Sequence, residues 1–125
     1  MPGPLICAVM IPTSAPEAAA AWYARIFPAA DRETLEMDAV PILRFPDLQI
    51  EFVLADGKSP SGTAGSIVYW SVDDFADELA RILNLGATLY RGPLRIENGQ
   101  HMCQLQDPWG NCLGLRGPHT APVAP

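Results

Sequence analysis

Thirteen of the 125 residues are proline, about twice the usual ~5% share. Proline inside a helix removes a backbone donor and clashes with the preceding turn. A helix bundle is therefore excluded, and the chain must be built from short elements separated by breaks. Hydrophobic residues make up 49% and charged residues 18%, a globular composition rather than a disordered one. The length suits a single domain, residues 1–125, with its own core.

Apolar runs and breakers set the element order. Residues 5–11 form a first candidate strand, closed by Pro12. Ser14, Pro16 and Glu17 read as a helix start, with Ser14 as cap, proline in the first turn and an acid favouring the dipole. Ala19, Trp22, Tyr23, Ile26 and Phe27 then recur at helical spacing and make one apolar face before Pro28. Residues 33–40, 42–45 and 48–54 read as three strands, broken at Pro41 and at Pro46-Asp47. Residues 55–64 are rich in Gly, Ser and Pro, the composition of a linker.

The same order then returns. Residues 65–72 read as a strand, and Asp73-Asp74 open a helix with Phe75, Leu79, Ile82 and Leu83 on one face, ended by Asn84 and Gly86. Residues 87–90 are a strand, 92–99 a loop or irregular strand, 101–106 a strand and 111–115 the last strand. Asp107-Pro108-Trp109-Gly110 between them is a turn. The tail, residues 117–125, is expected to fray. Ala24-Arg25-Ile26-Phe27 and Ala80-Arg81-Ile82-Leu83 occupy the same place in the two helices. A duplication accounts for this most simply; the alternative is an α+β domain whose helices merely look alike.

The formal net charge of −6 argues against a nucleic-acid partner, which needs a basic face, and against a polybasic membrane-surface protein. No apolar run approaches the ~20 residues of a membrane helix. The start, Met1 to Pro4, lacks the basic and apolar regions of a secretory signal. Cys7, Cys103 and Cys112 are odd in number and lack C-x-x-C spacing, so neither a disulfide framework nor a zinc ribbon is expected. Each is expected to be a small hydrophobe in a strand, in a reducing, cytoplasmic compartment.

The chain resembles the vicinal oxygen chelate superfamily, which includes glyoxalase I, extradiol dioxygenases, fosfomycin-resistance enzymes and bleomycin-resistance proteins. The residues that carry the resemblance are Asp107-Pro108-Trp109-Gly110-Asn111-Cys112-Leu113, similar to the family's closing turn and strand, Trp22-Tyr23, Ser71-Val72-Asp73-Asp74 and Gly86-Ala87. It runs from about residue 5 to 116. It implies an α+β fold: two paired βαβββ modules (about 5–54 and 65–116) forming a cup-shaped mixed sheet, in a homodimer. Metal-dependent members hold a divalent cation in the cup. The positions that would supply its ligands fall here on Ala8, Glu51, Ile67 (or Ser66) and Gly114. Only Glu51 is a ligand-type side chain, and a divalent transition metal needs several protein donors. No metal and no cofactor are therefore expected.

Alternation across residues 48–54 sets Leu48, Ile50 and Phe52 against a helix and Glu51 on the other face, toward the cup. Glu51 can serve there as a general base or as an anion for a cationic ligand, or it is simply a solvated carboxylate. Met10 shares the parity of Ala8. Tyr69 and Trp70 take opposite faces, with Tyr69 in the cup unless the register slips by one. Arg91 and Arg95 can clamp a carboxylate or phosphate, or form a surface cluster with Glu97. His101 can sit at the rim and bind a ligand or move a proton, or is an exposed strand-end histidine. These readings give a protein that binds a small molecule in the cup without a catalytic metal, through Met10, Glu51, Tyr69, Arg91 and His101. The alternative is a glyoxalase-like enzyme of lyase, isomerase or dioxygenase type. Glu51 would then be its catalytic base or part of a degenerate metal site.

Overall fold

The computed structural model describes residues 5–119. The chain divides after Ser61 into two compact units, each built in the order strand, helix, three strands.

In the first unit these are β1 (Ala8–Thr13), α1 (Pro16–Ile26), β2 (Asp31–Thr34), β3 (Pro41–Arg44) and β4 (Gln49–Leu54). The sheet order is β1-β4-β3-β2, with β1 parallel to β4 and the other neighbours antiparallel. The second unit repeats this with β5 (Tyr69–Ser71), α2 (Phe75–Asn84), β6 (Thr88–Arg95), β7 (Gln100–Gln106) and β8 (Cys112–Pro118). Its order is β5-β8-β7-β6, with β5 parallel to β8. The two topologies are identical, which is what a duplicated βαβββ module requires.

Helix α1 buries Ala19, Ala20, Trp22, Tyr23 and Ile26. Tyr23 meets Phe52 at 5.4 Å between ring centroids, and Leu43, Ile50 and Phe52 complete the core on the sheet side. Each such side chain removed from water contributes about 1.5–3 kcal/mol. Helix α2 is capped by Asp74, whose Oδ1 accepts from the Asp77 N–H at 3.1 Å. It buries only Phe75 and Ile82; Leu79 is half-buried, and Leu83, expected on the apolar face, is 37% exposed.

Several boundaries differ from those expected. Strand β1 starts at Ala8 and runs through Pro12; β1 is an edge strand of its sheet, where a missing N–H costs no ladder bond. Ser14 does not cap α1: Ala15 is the cap residue, and its N–H donates to the Thr13 hydroxyl at 3.3 Å. The strand expected over 33–40 is β2 followed by a turn, closed by the Leu35 N–H to Val40 carbonyl bond at 2.8 Å. Pro41, expected as a break, opens β3. Strand β5 is only three residues long, and residues 65–68 and Val72 of the expected span lie outside it. Strand β6 continues past Tyr90 to Arg95 with two register shifts. Gly92 lets it do so: a Cβ there would lie 2.9 Å from the Met102 carbonyl oxygen. Strand β8 reaches Pro118, so the expected fraying does not start at 117; residues 120–125 of that tail lie outside the described residues. Cys7 is exposed and precedes β1 rather than sitting buried in it.

The Asp107-Pro108-Trp109-Gly110 turn forms as expected. The Asp107 carboxylate is buried and its Oδ1 accepts from the Trp109 N–H at 2.9 Å and the Asn111 N–H at 3.0 Å. Asn111 in turn accepts from the Gly62 N–H at 2.8 Å, tying the start of the second unit to its last turn. The residues that carry the family resemblance most specifically are thus structural.

Candidate ligand-binding faces

Each sheet has one face toward its helix and one away from it. On β4, Ile50 and Phe52 are buried toward α1, whereas Gln49, Glu51 and Val53 are half-buried on the other face. Register places Met10 beside Glu51 across the parallel β1–β4 pair, and Ala8 beside Gln49. Arg44 stands opposite Gln49 from β3. The structure therefore brings Met10 and Glu51 together, with Met10 48% exposed.

A hollow of about 500 Å³ opens on this face, lined by Cys7, Ala8, Arg44, Leu48, Gln49 and Glu51 among others. Gln49 Nε2 donates to Glu51 Oε2 at 2.6 Å, which orients the carboxylate. Arg44 pairs with Glu33 at 3.0 Å, so it is not the counter-ion that neutralises Glu51.

On the second sheet, Tyr69 stands beside Gly114, Gly114 opposite Gln104 and Gln104 opposite Arg91. These four residues cross all four strands in one row. Trp70 stands beside Leu115, which is fully buried, so Tyr69 and Trp70 take opposite faces. Gln104 Nε2 donates to the Tyr69 hydroxyl at 2.7 Å. The Arg116 guanidinium carbon lies 4.3 Å from the centroid of the Tyr69 ring, a cation–π contact. Gln104 and Arg116 were not among the residues expected from sequence. The available signal was parity: Gln104 alternates with buried Cys103 and Leu105, and Arg116 lies two residues beyond Gly114.

His101 does not join this face. It has the parity of Cys103 and Leu105, and its ring packs 5.8 Å from Phe75 of α2 and 4.4 Å from His119. Its Nδ1 is buried without a hydrogen-bond partner. Removal from water first, then the charges of His119 and Arg95, lowers its pKa below the usual value. A rim position for His101 is thereby corrected. The clamp of Arg91 with Arg95 is corrected too. Arg91 stands opposite Gln104 and Arg95 opposite His101, on opposite faces of β7. Among the described residues neither arginine pairs with Glu97.

Among the described residues no group of three or more His, Cys, Asp or Glu side chains is placed to hold a metal ion. Ala8, Ile67 and Gly114 bring no donor. The space above Gly114 is already taken, since a Cβ there would lie 2.6 Å from Cε1 of Tyr69. The residues present do not fit the divalent centre of the metal-dependent members. No described helix is long and apolar enough to cross a membrane.

The chain has the vicinal oxygen chelate fold of glyoxalase/bleomycin resistance/dioxygenase proteins. It is similar to a glyoxalase/bleomycin resistance protein/dioxygenase family enzyme from Burkholderia phytofirmans PsJN, with a TM-score of 0.73 and 18% identity over 88% of this chain and 95% of that one. It is similar to TnmS3, an antibiotic binding protein from Streptomyces sp. CB03234, with a TM-score of 0.71 and 22% identity over 94% and 98% of the two chains. The lactoylglutathione lyase of Agrobacterium tumefaciens matches with a TM-score of 0.66 and 19% identity over 94% and 96%. At such identities the likeness establishes the fold. No protein-family model matches the sequence, and no curated protein matches it.

Proposed function

We propose that this protein binds a small molecule on the helix-free faces of its sheets, without a catalytic metal. On the first sheet the ligand is an organic cation held by Glu51. The observation that carries this reading is the Glu51 carboxylate, oriented by Gln49 at 2.6 Å and opening into a hollow of about 500 Å³. Met10 beside it supplies a soft apolar contact. A donor set unfit for a divalent ion supports binding over metal-assisted chemistry, and so does the likeness in fold to an antibiotic binding protein. Tyr69 and Arg91 belong to the ligand-contacting surface of the second sheet.

A second reading is favoured by the same hydrogen bond. A carboxylate fixed by a neighbour and open to a cavity also suits proton abstraction, with Glu51 as general base. The assembly in this proposal is a homodimer; the edge strand β6 exposes Leu89, Tyr90 and Leu94. The compartment is a reducing cytoplasm, supported by three free cysteines.

Thermal-shift measurements with bleomycin and with phenethylammonium test the reading, because a ligand that binds only the native state raises its stability. The expected result is a rise in Tm that Glu51→Gln abolishes. No shift with either probe, or an equal shift in Glu51→Gln, overturns cation binding. Turnover that Glu51→Gln abolishes establishes the enzyme instead.

A further inference from the structure

Among the described residues, the strand positions on the helix-free face of the second sheet carry hydrogen-bond donors and positive charge and no carboxylate. Gln104 is the centre of a short chain: the Cys112 thiol donates to its Oε1 at 3.8 Å, and its Nε2 donates to the Tyr69 hydroxyl at 2.7 Å. With its oxygen already accepting, the Tyr69 O–H is left to donate outward, and so is the second Nε2 hydrogen of Gln104.

Two arginines flank these donors. Arg116, two residues along β8 from Gly114, rests on the Tyr69 ring at 4.3 Å, which holds its planar fork in place. Arg91 stands at the far end of the same row, opposite Gln104. In a chain with a net charge of −6, Arg32, Arg44 and Arg81 pair with glutamates. Among the described residues, Arg91 and Arg116 have no such partner. Met102 stands opposite Arg116 and is buried; Leu94, opposite Met102, is 49% exposed and gives the face an apolar flank.

We propose that this face is a binding site for an organic carboxylate, with the Arg116 guanidinium, the Tyr69 hydroxyl and the Gln104 amide receiving its oxygens. Arg91 supplies the second positive charge, and the apolar body of the ligand lies along Leu94. A planar carboxylate matches the guanidinium fork by two parallel hydrogen bonds. The proposal rests on the reading that the helix-free faces take ligands. Its residues all belong to the second unit, so its failure leaves the Glu51 hollow untouched.

The test is a titration of the isotope-labelled protein with 2-naphthoate, followed by NMR, with the neutral 2-naphthamide as comparison. Naphthoate is expected to shift the Tyr69 and Gln104 amides and the Arg116 guanidinium, and naphthamide to bind at least tenfold more weakly. Arg116→Gln is expected to weaken naphthoate binding about tenfold and Tyr69→Phe, which keeps the ring over Gly114, several-fold. Lys58→Gln, the same charge change on an exposed loop, is expected to leave it unchanged. No shift at these residues, equal binding of the amide, or equal weakening by Lys58→Gln overturns the proposal.

Discussion

Tyr69 occupies the space in which any side chain at Gly114 would stand. A Cβ at 114 would come within 2.6 Å of Cε1 and 2.9 Å of Cγ of the tyrosine ring. Adding a methyl group there forces the ring or the strand to move, and overpacking of this kind costs about 1–3 kcal/mol. Gly114→Ala is therefore expected to lower the midpoint of urea unfolding. In a Tyr69→Ala background the same substitution should cost little. A double-mutant cycle with a coupling near zero would show that the two residues do not exclude one another.

The turn after β7 holds two buried polar side chains in place of a hydrophobic plug. Asn111→Ala leaves the Gly62 N–H without its acceptor at 2.8 Å, and Asp107→Ala frees two backbone donors. Stranding such groups costs about 1–3 kcal/mol each. Both variants should lose stability by chemical denaturation, Asp107→Ala more, with ligand affinity of the folded protein unchanged. Full stability in either would remove the structural role assigned to this turn.

The three thiols should separate by reactivity. Burial pushes the Cys103 thiol up to about 11 and raises that of Cys112 as well, with Asp107 adding to the rise. Cys7 is exposed. Since the thiolate is the reactive form, maleimide labelling of the native protein should reach Cys7 first and Cys103 only on unfolding. Peptide mapping of the labelled protein checks the order, and early modification of Cys103 would contradict its buried position.

Stability should fall on acidification through His101. Its pKa in the folded chain lies below the ordinary histidine value of about 6.5, because folding withdraws the ring from water and sets His119 and Arg95 nearby. As pH falls, the unfolded chain takes up the proton first. The contribution is thus present above about 6.5 and lost as pH drops through the folded value. Tm measured from about pH 8 to about pH 5 should decline less steeply in His101→Phe than in the parent. Parallel profiles would show that His101 does not contribute.

Much of the fold was legible because its signals are local. The α1 and α2 spans follow from Pro16, Asp74 and the apolar spacing, and the Asp107 turn follows from its own four residues. The β2–β3 turn was hidden because it contains neither glycine nor proline; Ala39 takes the left-handed conformation there with φ 53°. The continuity of β6 was hidden because Gly92-Pro93 reads as a break, although the strand passes through it. Alternation was enough to set Glu51 and Met10 on the same face; the β1–β4 register makes them neighbours. Alternation was not enough for the second sheet, where two register shifts in β6 decide that Arg91 joins Gln104 while Arg95 joins His101. Nor could any local pattern reveal that Tyr69 and Gly114, 45 positions apart in the chain, share one space.

That shared space constrains how such a chain can evolve. A glutamate at 114, the simplest step toward capturing a metal ion, collides with the aromatic ring beside it. Shrinking residue 69 first would open a void and strip Gln104 and Arg116 of the group they lean on. Either order passes through a weakened intermediate, so the absence of a metal ligand at 114 is not one substitution away from reversal.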